Sequence, residues 1–183
     1  EEGLGPRFAK PLRTAQDILG LGQPDPEVEL AYVGDAIRLI NRELDGKIPL
    51  IGFCGSPWTL ATYMVEGGSG HDFKLIKTLL YDEPELLHHL LRVVTTASCE
   101  YLKAQIAAGV DAVMIFDTWG GVLSTPSYHS FSLPYIEQIV ATVNGAVPTI
   151  SFTKGGGQWL ESGAAIGGSA LGLDWSFDIG RAR

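Results

Sequence analysis

Ile51-Gly52-Phe53-Cys54-Gly55-Ser56-Pro57-Trp58-Thr59-Leu60-Ala61-Thr62-Tyr63-Met64-Val65-Glu66-Gly67-Gly68 is the stretch whose reading decides the fold. The apolar run Ile48 to Phe53, bounded by Gly55, suits a strand buried on both faces. The chain then turns into a helix, with Ser56 placed to cap the free N–H groups and Pro57 preset for the first helical position. Gly67-Gly68 closes that helix. A buried strand feeding a helix N-terminus brings Ser56, Trp58, Thr59 and Tyr63 near the strand's carboxyl end, where parallel α/β proteins bind ligands. An ordinary strand–helix turn with Trp58 and Tyr63 as core residues accounts for the same pattern, which leaves both readings open.

Upstream, residues 1–23 have little periodicity and carry Gly3, Gly5, Pro6, Pro11, Gly20 and Gly22, which reads as a loop with at most a short turn. Arg7 and Arg13 then sit on a surface or at the mouth of a site. Asp25-Pro26-Glu27 opens a helix with a cap, a first-turn proline and acids near the positive end of the dipole. Leu30, Val33, Ile37, Ile40 and Leu44 give it one apolar stripe, and Gly46 ends it.

Downstream, Phe73, Ile76 and Leu80 mark a helix up to Tyr81, and Asp82-Glu83-Pro84 starts a long one. Leu87, Leu91, Val94, Ser98, Tyr101 and Gln105 trace one side of it, and Gly109 is its stop. His88 and His89 are adjacent, so on a helix they point about 100° apart and cannot share a ligand face. His71 and His129 are lone histidines near element ends, and no HExxH or CxxC occurs, so no metal site is expected.

Ala112 to Phe116 is a second apolar run, with Asp117-Thr118-Trp119-Gly120-Gly121 at its exit. A carboxylate at the end of a buried strand is costly to desolvate unless it is partnered or used. A third run, Val147 to Phe152, leads into Thr153-Lys154-Gly155-Gly156-Gly157, and a fourth, Ala170 to Leu173, into Asp174-Trp175. Helices are expected over Phe131–Val143 and Gln158–Ile166, and Asp178 begins another. The triple glycine lacks GxxxxGK[ST] spacing, with Lys154 before the glycines, so a tight turn needing positive φ is favoured over a nucleotide loop. Backbone N–H groups there could still meet an anion.

Strands near 48–54, 112–117, 147–153 and 170–174 with helical crossovers make a parallel α/β sheet, adjacent in that order. Polar residues at every strand exit favour a TIM (β/α)8 barrel over an open sheet, and a full barrel needs about 250 residues and eight strands. About four consecutive parallel βα units are visible, so residues 1–183 are expected to form a single partial barrel domain.

Composition bounds the function. The chain has 183 residues, 45% hydrophobic and 19% charged, which describes a soluble globular protein. A net charge of −8 argues against general binding of nucleic acid or anionic membrane. No apolar run is long enough to span a bilayer. Cys54 and Cys99 stand far apart, which suits free thiols in the cytoplasm. The chain begins with Glu1 rather than Met, and reads as a piece excised from a longer protein.

The motifs also carry a resemblance. Ile51 to Leu60 continuing through Tyr63-Met64-Val65-Glu66-Gly67-Gly68 resembles the third-strand motif of the uroporphyrinogen decarboxylase family. Ile115-Phe116-Asp117-Thr118-Trp119-Gly120-Gly121, Phe152-Thr153-Lys154-Gly155-Gly156-Gly157 and Gly172-Leu173-Asp174-Trp175 resemble its later strand exits, in order. The resemblance implies a TIM barrel, a homodimer and a cytoplasmic step of haem and chlorophyll synthesis. It implies removal of CO2 from the four acetate side chains of uroporphyrinogen III, giving coproporphyrinogen III, without metal or organic cofactor.

Carried over by motif, Tyr63 and Thr118 contact the porphyrinogen substrate through their hydroxyls. Asp117, Lys154 and Trp58 are expected to line the same face, with no catalytic role assigned. The family's first-strand arginine and its pyrrole-binding second-strand aspartate fall upstream of Glu1, and a histidine falls beyond Arg183, so no catalytic residue is assigned within this chain. Two alternatives are a non-catalytic truncated barrel and a corrinoid-dependent methyltransferase of the same fold family. The second is weakened by the absence of a His-x-Cys pair.

Overall fold

The computed structural model describes residues 8–68 and 72–182. Residues 1–7, Arg7 among them, and His71 lie outside the described residues.

The chain enters through a short helix, α1 (Ala15–Leu19), where only a turn is expected from sequence. A capping box forms it: Thr14 Oγ1 accepts from the Asp17 N–H, and the Asp17 carboxylate accepts from the Thr14 N–H. The helix expected from Asp25 to Gly46 is broken in two, α2 (Pro26–Glu29) and α3 (Ala31–Leu44). Leu30 stands between them at φ −119°, ψ 22°, outside the helical region. Asp45, in the left-handed region at φ 51°, ends α3 one residue before Gly46. Ile37 is buried, but Ile40 of the expected stripe is exposed.

Strand β1 (Ile51–Gly55) feeds α4 (Pro57–Glu66), whose N-cap is Ser56 and whose end is Gly67 at φ 89°. Then come α5 (Lys74–Asp82), the long α6 (Pro84–Ala108) and β2 (Ala112–Asp117). The helix expected over Phe131–Val143 is the second of a pair, α7 (Thr125–Phe131) and α8 (Leu133–Val143), jointed at Ser132. Strand β3 (Thr149–Thr153), a 3-10 turn over Gly156–Trp159, α9 (Leu160–Ala165) and β4 (Ala170–Gly172) follow. The last described element is a 3-10 turn, Ile179–Ala182, where a helix from Asp178 is expected.

The four strands form one sheet in the order β1-β2-β3-β4, every neighbour parallel. Register pairs Gly52 with Val113 and Phe116 with Phe152, so each face is read across strands. Cys54, Val113, Ile115, Asp117, Thr149 and Ser151 share the face buried under helices. Leu87, Leu90, Leu91 and Leu102 of α6 are fully buried, each contributing on the order of 1.5–3 kcal/mol.

The opposite face carries Ile51, Phe53, Met114, Phe116, Ile150 and Phe152. Phe53 is 60% exposed and Ile51 49%, which corrects the expectation that the first strand is buried on both faces. Among the described residues only the helix-bearing side of the sheet is covered. This is the architecture of half a (β/α)8 barrel, with the uncovered face as the barrel interior.

Candidate functional site

Every strand delivers polar residues at its carboxyl end, and what those residues do depends on the face they leave from. Asp117, last in β2, continues the buried face of Val113 and Ile115, so its carboxylate points into the helix layer and is fully buried. This corrects the expectation that Asp117 lines the cleft. Four hydroxyls converge on it. Ser56 Oγ donates to Oδ1 at 2.6 Å and Thr59 Oγ1 at 3.0 Å. Ser132 Oγ donates to Oδ2 at 2.7 Å and Thr153 Oγ1 at 3.5 Å. Burial pushes the Asp117 carboxyl above the ordinary carboxylate range, while the hydrogen bonds from Ser56, Ser132, Thr59 and Thr153 pull the other way.

Gly120 packs on this cluster, where a Cβ would collide with the Asp117 carboxylate and the Thr153 methyl. Trp58 also leaves the expected site: its ring is fully buried in the core and its Nε1–H donates to the Trp119 carbonyl at 2.9 Å.

Thr118 and Lys154 do share a cleft. With Trp119, Gly121, Asp174 and Trp175 they line a hollow of about 300 Å3 at the exits of β2, β3 and β4. Lys154 Nζ stands 6.0 Å from the centre of the Trp119 ring. Tyr63 does not line that hollow. It reaches it through Trp119, the two rings meeting edge to face at 6.0 Å, with Phe73 against the other ring at 5.0 Å.

The glycine turn after β3 takes the positive φ expected of it, +74° at Gly155. Its anion is internal: the Gly155 N–H donates to the Asp174 carboxylate, which Ser176 also caps. Those bonds, the Ser176 hydroxyl first, hold the Asp174 carboxyl below its usual range. Beneath the strand exits Phe53, Phe116 and Phe152 form an aromatic row across three strands, at centroid distances of 5.8 and 6.0 Å.

His88 is a packing residue, stacked on Phe131 at 4.4 Å with Nδ1 2.7 Å from the Tyr135 hydroxyl. Among the described residues no three His, Cys, Asp or Glu side chains converge as metal ligands.

Sequence reasoning placed Ser56 as a cap and missed that it also serves Asp117. Strand alternation offered the signal for Asp117, since it stands two residues from Ile115 and four from Val113. Nothing local marked Ser132, which reaches Asp117 from the joint between two helices.

Parallel strands in sequence order, helices on one face and polar exits at one end define a barrel of the (β/α)8 class with its cleft at the carboxyl ends of the strands. The profile of the uroporphyrinogen decarboxylase family matches residues 1–183, and the chain belongs to that family. A uroporphyrinogen decarboxylase of Thioalkalivibrio sulfidiphilus is 60% identical over all of this chain and 53% of its own length. One of Methylococcus capsulatus is 61% identical, again over the whole chain and 53% of the relative. The chain thus spans about half the length of these relatives. A methyltransferase from Methanosarcina mazei superposes with a TM-score of 0.73 at 23% identity, covering 85% of this chain and 46% of that one, and shares the fold.

Proposed function

We propose that this chain supplies one wall of a cleft that decarboxylates uroporphyrinogen III to coproporphyrinogen III. The observation that carries the reading is family membership over the whole chain, together with a cleft at the strand exits that carries Thr118, Lys154 and Asp174 and an aromatic row across three strands. Protonation of a pyrrole ring makes the ring an electron sink. The bond from each acetate CH2 to its carboxylate then breaks, CO2 leaves, and its electron pair enters the ring. A proton delivered to that carbon leaves a methyl group as the ring gives up its own proton. The electron sink is thus the substrate itself. What the protein has to supply is orientation, charge complementarity and a placed acid.

In this reading Tyr63 and Thr118 offer hydroxyls to the substrate. Lys154 offers a cation to a side-chain carboxylate, held over Trp119. Phe53, Phe116 and Phe152 give the macrocycle an apolar floor. The remaining parts of the reading are a cytoplasmic homodimer that engages neither nucleic acid nor membrane. The net charge of −8 speaks against nucleic acid, and among the described residues no helix is long and apolar enough to cross a membrane; the homodimer and the cytoplasmic location rest on the family resemblance.

The test is anaerobic incubation of uroporphyrinogen III with a protein of the relatives' full length carrying this sequence. Stepwise loss of four CO2 to the tetracarboxylate is expected. A protein that folds and leaves the octacarboxylate intact overturns the proposal.

A further inference from the structure

Asp117 is a buried charge that the proposed reaction does not use, and no other Asp, Glu, Lys or Arg is buried among the described residues. Its partners come from four places: the exit of β1, the first turn of α4, the joint before α8 and the end of β3. On Oδ1 the donor roles are fixed. Ser56 Oγ accepts from the Thr59 N–H at 3.1 Å, and Thr59 Oγ1 accepts from the Trp119 N–H at 3.1 Å, so each hydroxyl turns its proton to Asp117. The backbone repeats the tie: the Ser56 N–H donates to the Phe116 carbonyl at 2.8 Å, and the Lys154 N–H to the Asp117 carbonyl at 3.1 Å. The residues that leave this cluster, Thr118, Trp119 and Lys154, are walls of the cleft.

We infer that Asp117 is a positioning residue, whose carboxylate locks the exits of β1, β2 and β3 together and so aims Thr118, Trp119 and Lys154 at the substrate. The inference rests on the decarboxylase reading only for its kinetic readout. A cluster that merely stabilised the fold would set how much protein is folded, and would leave turnover per folded molecule alone.

Asp117→Asn keeps an oxygen for Ser56 and Thr59 but turns the other position into an NH2 donor, so Ser132 and Thr153 can no longer donate there and must turn to accept, which shifts the hydroxyls that hold the cluster. Ser132→Ala removes a donor whose flanking helices, α7 and α8, supply no residue to the cleft and none to the proposed substrate contacts. Both are made in a protein of the relatives' full length carrying this sequence. For folded Asp117→Asn we expect kcat to fall roughly ten- to a hundredfold with KM within about threefold, because misplacement near 1 Å carries such a penalty while the substrate still binds elsewhere. A kcat within about twofold of wild type overturns the inference. If Asp117→Asn does not fold, Ser132→Ala decides, with a fall of about threefold or more expected and an unchanged kcat overturning. If the unsubstituted protein does not decarboxylate uroporphyrinogen, the functional reading fails separately. The inference is then judged on the Trp119 and Lys154 amide resonances in Ser132→Ala: displaced signals support it, and superimposable ones overturn it.

Discussion

At the residue scale, Tyr63 and Cys54 take opposite roles, one at the edge of the cleft and one in the core. Tyr63 is half-buried against Trp119 at the edge of the cleft. Its substitution by Phe, in a protein of full relative length, is expected to lower kcat/KM roughly ten- to a hundredfold, the worth of one hydrogen bond to a charged group. The melting temperature should stay within about 2 °C, since no packing surface is removed. Unchanged kinetics would clear Tyr63 of the role. Cys54 points into the helix layer, where burial first and the neighbouring Cys99 second push its thiol up from 9.0 to about 12. Only the thiolate attacks, so Cys54 in the folded protein should resist alkylation at pH 8 and react once denatured. The same shift fixes a pH dependence. Between about pH 9 and 12 the unfolded state releases this proton and the folded state keeps it, so the stability present below pH 9 falls as pH rises. Cys54→Ala should flatten that part of the stability curve, as read from denaturant midpoints at pH 8 and 10.

At the scale of elements, the connection from β1 to α4 depends on a side chain with two roles. Ser56 caps α4 by accepting from the Thr59 N–H, and donates to Asp117 while fully buried. Ser56→Ala removes a cap and one partner of a buried carboxylate together, a loss of about 2–4 kcal/mol. The urea midpoint should drop with an unchanged slope, and a drop below about 1 kcal/mol would show that water replaces the hydroxyl. Strand β1 also leans on α6. Gln105, buried, accepts from the Phe53 N–H at 3.0 Å and donates to the Phe53 carbonyl at 2.9 Å. A Cβ at Gly52 would sit 2.7 Å from the same amide oxygen, which is why glycine stands there.

At the scale of the whole molecule, the sheet has one finished face and one open one. Phe53 and Ile51 are exposed, and an apolar hollow of about 450 Å3 lined by Phe8, Leu60, Met64 and Val94 lies along β1. Such a surface and an unpaired strand edge favour association. The 183-residue chain expressed by itself is therefore expected to elute as dimers or aggregates in size-exclusion chromatography. It is also expected to release no CO2 from uroporphyrinogen at a useful rate. A polyanionic substrate meets a net charge of −8, with Lys154 as the cation of the described cleft. A clean monomer with turnover comparable to a full-length relative would overturn both expectations.

The sequence by itself determined the strand order, the parallel direction, most of the helices and the polar strand exits. Each of these follows from local causes: apolar runs of strand length, helical periodicity, and caps such as Ser56, Gly67 and Gly109. The break at Leu30 and the joint at Ser132 escaped because periodicity continues through a single non-helical residue. Tertiary structure alone decided which side of each strand was covered. In a run such as Ala112 to Phe116 both faces are apolar, so alternation names two faces without saying which one meets the helices. That choice sent Asp117 into the core and Thr118 to the cleft. It also gathered Ser56, Thr59, Ser132 and Thr153 around one carboxylate from positions up to 61 residues away, because a buried charge is satisfied by whatever donors packing brings to it and not by those nearest in the chain.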